Sequence, residues 1–337
     1  MFREGHIMLK QEDIAKLAGV SRATVSRVLN DDENVKAATR EKILKIIEAY
    51  GYEKNYISST LASKNEKIIY VFLLKSVVNH YSDELKKGLL EFQSENKGFG
   101  YKIEIVETSI DNPESQITEL DWVLNNLSPA GIIITPLLKN EIMKRVLENE
   151  RVKFLSLDNV LSESIPHVGA NYYMGGQISG DIMRGVLRKK ERVLVLKFPG
   201  DKVSVEEYYK GFTSSLQRES IRVVEAKKDI LNSHNFLKKY LTEDIRGIFS
   251  NRYTLEIIKK NSELLHPEND YKIVGIAGNP EVNDYVRNEV IYASINEQFS
   301  TIGYTAGKIM FETLYKNRKS VEHQFIKPIV AFKSLVK

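Results

Sequence analysis

The chain has no cysteine. That excludes a disulfide framework and any zinc site built on thiolates, and it fits a reducing, cytoplasmic setting. Long apolar runs are missing too: nothing approaches the ~18 apolar residues that a membrane span needs. Met1 to Leu9 mix charges and lack the apolar centre of a signal peptide, so no membrane partner is expected. An excess of one charge is also lacking. Lysine and arginine number 49 against 45 aspartates and glutamates, and a net charge of +4 is too small to argue by itself for a phosphate-binding surface. The motifs G-x-x-x-x-G-K-[ST], G-x-G-x-x-G and G-x-S-x-G do not occur. His6, His80, His167, His234, His266 and His323 are scattered, without the i, i+4 pairing of a metal-binding helix. No enzyme, metal site or cofactor is expected. Gly175-Gly176 and Gly278-Asn279-Pro280 read as turns.

What remains is a chain of 337 residues with ordinary globular composition, long enough for two or three domains. Residues 10–51 carry helical periodicity with few strand runs. Residues 52–66 are polar, small and weakly helical, and read as a connector. From Ile68 onward, short apolar runs alternate with amphipathic helices. The strand candidates lie at 68–74, 101–107, 131–136, 152–158, 192–198, 221–227, 247–251, 271–277 and 290–295, with helices such as 82–96 and 174–188 between them. Such alternation means parallel sheets covered on both faces. About nine units exceed one comfortable sheet, so two subdomains are expected, with chain crossings near 159–166 and 294–298.

Gln11 to Asn30 carries the strongest local signal. Ile14, Leu17 and Ala18 form one apolar stripe at helical spacing, and Val25, Val28 and Leu29 form another. Between them, Gly19 permits the positive φ of a tight corner, Val20 plugs the angle, and Ser21 suits the N-cap of the second helix. Small Ala15 suits a close helix crossing. These offsets define a helix-turn-helix. A third helix over 38–50, opened near Thr39, packs Ile43, Ile46 and Ile47 onto the pair. The second helix leaves Arg22, Ala23, Thr24, Ser26 and Arg27 facing outward. Arginine pairs bidentately with guanine O6 and N7, while hydroxyls and Asn30 suit phosphate oxygens. For Arg22 taken alone, a solvated helix face is the better explanation; the whole spacing is what points to DNA.

The pattern KQEDIAKLAGVSRATVSRVLN, followed by TREKILKIIEAYGY, resembles the head of the lactose-repressor (LacI/GalR) family. The resemblance implies a homodimer that sets two recognition helices into successive major grooves of a pseudopalindromic DNA operator. It puts Arg22, Ala23 and Arg27 at base-reading positions, and Ser21, Thr24, Ser26 and Asn30 at phosphate positions. NYISSTLASKN (55–65) resembles the family's hinge helix, which folds only on operator DNA. Asn55, Leu61 and Ala62 are its expected DNA-contacting residues, with Leu61 wedged into the minor groove. The alternative for Leu61 is packing against the partner's hinge. The chain departs from many members at Lys54, where they carry proline. Met8 is a second candidate initiator.

The remainder resembles the periplasmic-binding-protein-like body of the same family, closest to ribose-type binding proteins. The expected fold class is α/β: an all-α helix-turn-helix head at 8–54, a hinge at 55–66 and a two-subdomain doubly wound body at 67–337. Its first subdomain takes about 67–160 and 296–320, its second about 161–295 and 321–337. Open α/β sheets bind ligands at the carboxyl ends of their strands. Strand ends point to Asn79, Tyr81, Asp158, Asn171, Tyr172, Asn251, Asn279, Glu297 and Gln298 as effector contacts, with Tyr208 on the following helix pattern. Polar groups beside aromatic rings suit a sugar or sugar derivative. Against the family pattern, Tyr208 stands where sugar-sensing members carry arginine, Ala277 where they carry aspartate, and Glu297 where glutamine is frequent. The expected function is a sequence-specific transcription regulator, a repressor, whose operator affinity a small molecule controls. No appended heptad repeat follows the body, which favours a dimer. A free-standing solute-binding component is the competing reading, and it leaves the helix-turn-helix unexplained.

Overall fold

The computed structural model describes residues 10–29, 34–50, 67–75, 80–199, 203–276, 280–315 and 322–336. The expected hinge at 55–66, with Asn55, Leu61 and Ala62, lies outside the described residues, as do Asn30, Asn79 and Asn279.

The head is three helices, α1 (Gln11–Ala18), α2 (Arg22–Leu29) and α3 (Ala37–Ala49). At the start of α1 the Lys10 amide donates to the Asp13 carboxylate at 2.8 Å, a reciprocal N-terminal cap. Gly19 closes the helix at φ 67°, with its amide on the Lys16 carbonyl and the Val20 amide on that of Ala15. That pair of bonds needs a left-handed residue, which is why glycine sits at the corner. Ser21 Oγ then accepts the Thr24 amide at 3.1 Å and opens α2. Ile14, Ala15, Ala18, Val25, Val28 and Ile43 form the buried centre, with Val20, Leu29, Ile46 and Ile47 packed around it. Leu17 departs from the expected stripe and is 47% exposed. Ile14, Ala15 and Ala18 define the inward face, and Leu17 lies about 100° of helical turn from Ala18, on the side away from Ala15.

The body holds two six-stranded sheets. The first contains β1 (Lys67–Lys75), β2 (Tyr101–Ser109), β3 (Gly131–Ile134), β4 (Lys153–Leu157), β5 (His167–Ala170) and β11 (His323–Ile326). The second contains β6 (Arg192–Lys197), β7 (Ile221–Glu225), β8 (Ile245–Ser250), β9 (Lys272–Ile276), β10 (Ala293–Asn296) and β12 (Ile329–Ala331). Their orders are β11-β5-β4-β3-β1-β2 and β12-β10-β9-β8-β6-β7. All pairs are parallel except β10 with β12, in register Ser294 to Ala331.

Helices cover both faces of each sheet. On the first, α4 (His80–Glu95) and α11 (Phe299–Tyr315) pack over Ile69, Val71 and Leu73. On the opposite face α5 (Pro113–Asn126) and α6 (Lys139–Glu148) pack over Tyr70 and Phe72. The apolar run of β1 is thus buried on alternate sides, as a doubly covered parallel strand requires. The second sheet is covered by α7 (Tyr172–Val186) and α8 (Val203–Ser214) on one side, and by α9 (Thr254–Lys260) and α10 (Pro280–Arg287) on the other.

Two expectations are corrected. The first crossing comes after Ala170, not at 159–166, because β5 pairs with β4 (Ser156 to His167, Leu157 to Val168) and so stays in the first sheet. The last crossing likewise falls between Ile326 and Ile329, since β11 pairs with β5. The middle crossing runs from Asn296 to Phe299. Secondly, Gly175 and Gly176 are not a turn. They lie inside α7 where α8 presses against it, and a Cβ on Gly176 would collide with the Tyr208 carbonyl oxygen. Gly211 on α8 meets the Tyr173 carbonyl in the same way. The two backbones touch.

Candidate nucleic-acid interface and ligand cleft

On the head, Ser21, Arg22, Ala23 and Arg27 are exposed and Thr24 and Ser26 are half-buried. Their shared face is the one opposite Val25 and Val28, so burial of those valines decides which side chains are offered outward. Ser21 Oγ and Thr24 Oγ1 are hydrogen-bonded at 2.9 Å, which ties both hydroxyls to the opening turn. The Arg22 guanidinium meets Glu12 of α1, Nε to Oε1, at 3.2 Å. Sequence spacing carried no signal for that partner.

In the body, five of the expected effector residues come together where the chain crosses between the sheets. Asp158 ends β4 in a left-handed conformation, φ 62°, which a side chain rarely adopts without local support. Its carboxylate accepts the Tyr81 hydroxyl at 2.9 Å and the Tyr172 hydroxyl at 2.5 Å. The Tyr172 ring packs against both the first-sheet core and the core under α7 and α8. It also lies 5.6 Å, centre to centre, from the Tyr208 ring, whose hydroxyl donates to Glu297 Oε1 at 2.6 Å. Two tyrosine–carboxylate groups are thereby joined into one chain through the Tyr172 and Tyr208 rings. Burial, reinforced by the neighbouring carboxylates, pushes the hydroxyls of Tyr81, Tyr172 and Tyr208 well above the ordinary tyrosine range. Burial also raises Glu297 to about 7, against the Tyr208 hydrogen bond, which favours the charged form.

Beside this chain opens a cavity of about 210 Å³, with Asp158, Asn159, Tyr172, Tyr173, Ser204 and Glu207 among its walls. Lys139 and Phe325 line it too. Of these, Asp158 and Tyr172, together with Asn171, were expected from strand ends. Ser204 and Glu207 sit near the start of α8, and no strand-end rule reaches a helix of the facing lobe. Asn171 borders the cavity, but its Oδ1 caps α7 by accepting the Met174 amide at 3.0 Å. Asn251 does not line the cavity. It is buried, accepts the Phe198 amide at 2.9 Å and donates to the Phe198 carbonyl at 3.1 Å, so the expected ligand contact gives way to a loop clamp. Gln298 is likewise a tie between crossings, donating to the Lys327 carbonyl at 2.7 Å. The Asn171 amide, in turn, donates to the Ile326 carbonyl at 3.0 Å. All three crossings are thereby cross-linked. Among the described residues no three His, Asp or Glu side chains gather to hold a metal ion, and no helix is long and apolar enough to cross a membrane.

Two family models match. Residues 11–55 match the bacterial regulatory proteins of the lacI family, and residues 69–317 match the periplasmic binding protein domain. Catabolite control protein A of Priestia megaterium is 25% identical over 326 residues, covering 93% of this chain and 94% of that protein. Its similarity spans head and body together. The Lac repressor dimer bound to operator and the anti-inducer ONPF shares the fold over 97% of this chain and 99% of that one, at TM-score 0.63 and 20% identity. The periplasmic ribose ABC transporter of Conexibacter woesei covers 81% of this chain and 93% of its own, at TM-score 0.68 and 17% identity. A helix-turn-helix head carried on a two-sheet binding-protein body, matched from end to end by a catabolite control protein, makes this chain a member of the lacI family of bacterial regulatory proteins.

Proposed function

We propose that this regulator is a cytoplasmic homodimer that represses transcription from a pseudopalindromic operator, and that a sugar or sugar derivative bound between its two lobes controls its grip on DNA. On the DNA side, Arg22 and Arg27 read base edges with Ala23 between them, and Ser21, Thr24, Ser26 and Asn30 hold phosphates. Asn55, Leu61 and Ala62 act through the hinge. On the ligand side, Asn79 and Asn279 join the cleft residues.

The observation that carries the ligand reading is the Asp158 carboxylate on the cavity wall, already satisfied by two tyrosine hydroxyls. A carboxylate partly withdrawn from water loses stability with its hydrogen bonds, so a ligand that displaces a tyrosine hydroxyl has to offer donors of its own. A polyol does so without leaving an uncompensated charge. The Tyr173 and Phe325 rings on the same walls suit the apolar face of a pyranose or furanose. Because Tyr172 packs on both cores, exchanging its hydroxyl for a ligand's alters how the lobes sit, and lobe closure is the movement a dimer hinge can sense.

A thermal-shift screen of the full-length chain against sugars, phosphosugars and nucleobases tests this. A sugar or phosphosugar should raise the melting temperature, and Asp158→Asn should remove the shift. Stabilisation by a nucleobase alone would overturn the ligand class.

A further inference from the structure

Arg22 is the first residue of α2, and the opening turn of that helix contains no acidic residue. A cation there opposes the positive end of the helix dipole, so local stability does not explain its presence. The compensating charge comes from another helix. Glu12, in the first turn of α1, puts Oε1 3.2 Å from Arg22 Nε, with side chains 50% and 66% exposed. An ion pair this open to water contributes no more than about 1 kcal/mol to folding. What the contact does determine is direction. Nε is the inner donor of the guanidinium, and holding it fixes the plane of the group while leaving Nη1 and Nη2 for another partner. Those two nitrogens are the pair that meets guanine O6 and N7 edge-on.

The same carboxylate also works by repulsion. An arginine at a DNA surface has two competing partners, a base edge and the nearest phosphate, and only the first carries sequence information. A negative side chain beside Arg22 disfavours the approach of a phosphate, with its full charge, to that guanidinium more than it disfavours a base edge, which has no net charge. We infer that Glu12 is a positioning residue for sequence readout: it orients the Arg22 guanidinium toward a guanine edge and denies it the phosphate backbone. The inference rests on the reading of α2 as the base-contacting helix, and the experiment separates the two.

Full-length protein is used to select a preferred duplex from a random library. Wild type, Glu12→Gln, Arg22→Ala and the double variant are then titrated against three targets: the selected duplex, versions with each half-site base pair changed in turn, and an unselected duplex of equal length. Gln keeps the length and hydrogen-bonding reach of Glu and removes only the charge. Glu12→Gln should lower discrimination at one base pair per half-site by about 2- to 5-fold, the range of exposed ion-pair energies. It should also raise affinity for the unselected duplex, and it should change base discrimination no further once Arg22 is alanine. A structural role would instead weaken selected and unselected binding alike. That equal loss overturns the inference, as does an unchanged Glu12→Gln effect in the Arg22→Ala background. Should Arg22→Ala alone leave every base preference intact, the base-reading role of Arg22 falls, and the role of Glu12 with it.

Discussion

Burial holds the Glu297 carboxyl near pH 7, so its proton comes and goes across the neutral range. The folded protein binds that proton more tightly than the unfolded chain, whose carboxyl titrates near the ordinary glutamate value. Stability from this group is complete below the unfolded pKa and is lost as pH rises through about 7. His167 works in the opposite sense. Burial depresses it to about 4, so its contribution is present above the ordinary histidine value and is lost as pH falls toward 4. Wild type alone therefore shows a mixture, and the difference between variants isolates each group. Urea unfolding of Glu297→Gln should lack a downward slope of up to about 1.4 kcal/mol per pH unit that wild type shows between pH 5 and 7. Parallel curves for the two proteins would mean that Glu297 is not held protonated. At this scale the sequence was readable as residue types but not as pairs. Tyr208 and Glu297 were both marked for a ligand, yet they bind each other across 89 positions, and no local pattern encodes such a partnership.

Among the elements, the approach of α7 on α8 has a clear energetic consequence. Replacing Gly176 by alanine should gain about 1 kcal/mol in helix propensity, but the added methyl runs into backbone that cannot move without parting the helices. Overpacking of this kind costs about 1–3 kcal/mol, so a net loss of up to roughly 2 kcal/mol is expected in denaturant unfolding. A stabilised variant would show that the helices can separate freely. The same helices illustrate what could be read in advance. The helix-turn-helix was legible because its cap, corner glycine and inward valines all lie within some twenty residues. The long strands were legible from apolar runs. By contrast β5 and β11, of four residues each, carry no such run and acquire strand character by pairing with each other, while β12, of three, is too short for its apolar residues to show a strand period. Missing them displaced two of the three crossings. Gly175 and Gly176 were misread because a glycine pair looks alike in a turn and at a helix contact, and only the neighbouring helix distinguishes the two.

For the molecule as a whole, operator binding should depend steeply on salt. A dimer that engages six or more phosphates releases as many counterions, so affinity should fall by about a thousandfold or more between 50 and 200 mM salt. Fluorescence anisotropy with a selected duplex measures this directly. A nearly flat dependence would mean that the outward hydroxyls and arginines of the head do not meet a phosphate backbone. Binding of a sugar should add stability that grows logarithmically with its concentration, which links the head's affinity and the body's melting temperature through one ligand. The three strands of chain that join the lobes are bonded to one another, Asn171 to Ile326 and Gln298 to Lys327. Three independent tethers would let one half swivel, slide and tilt on the other. Tied together, they should act as a door hung on a single pin, the halves swinging about one axis, so that whatever enters the gap would be converted into an angle.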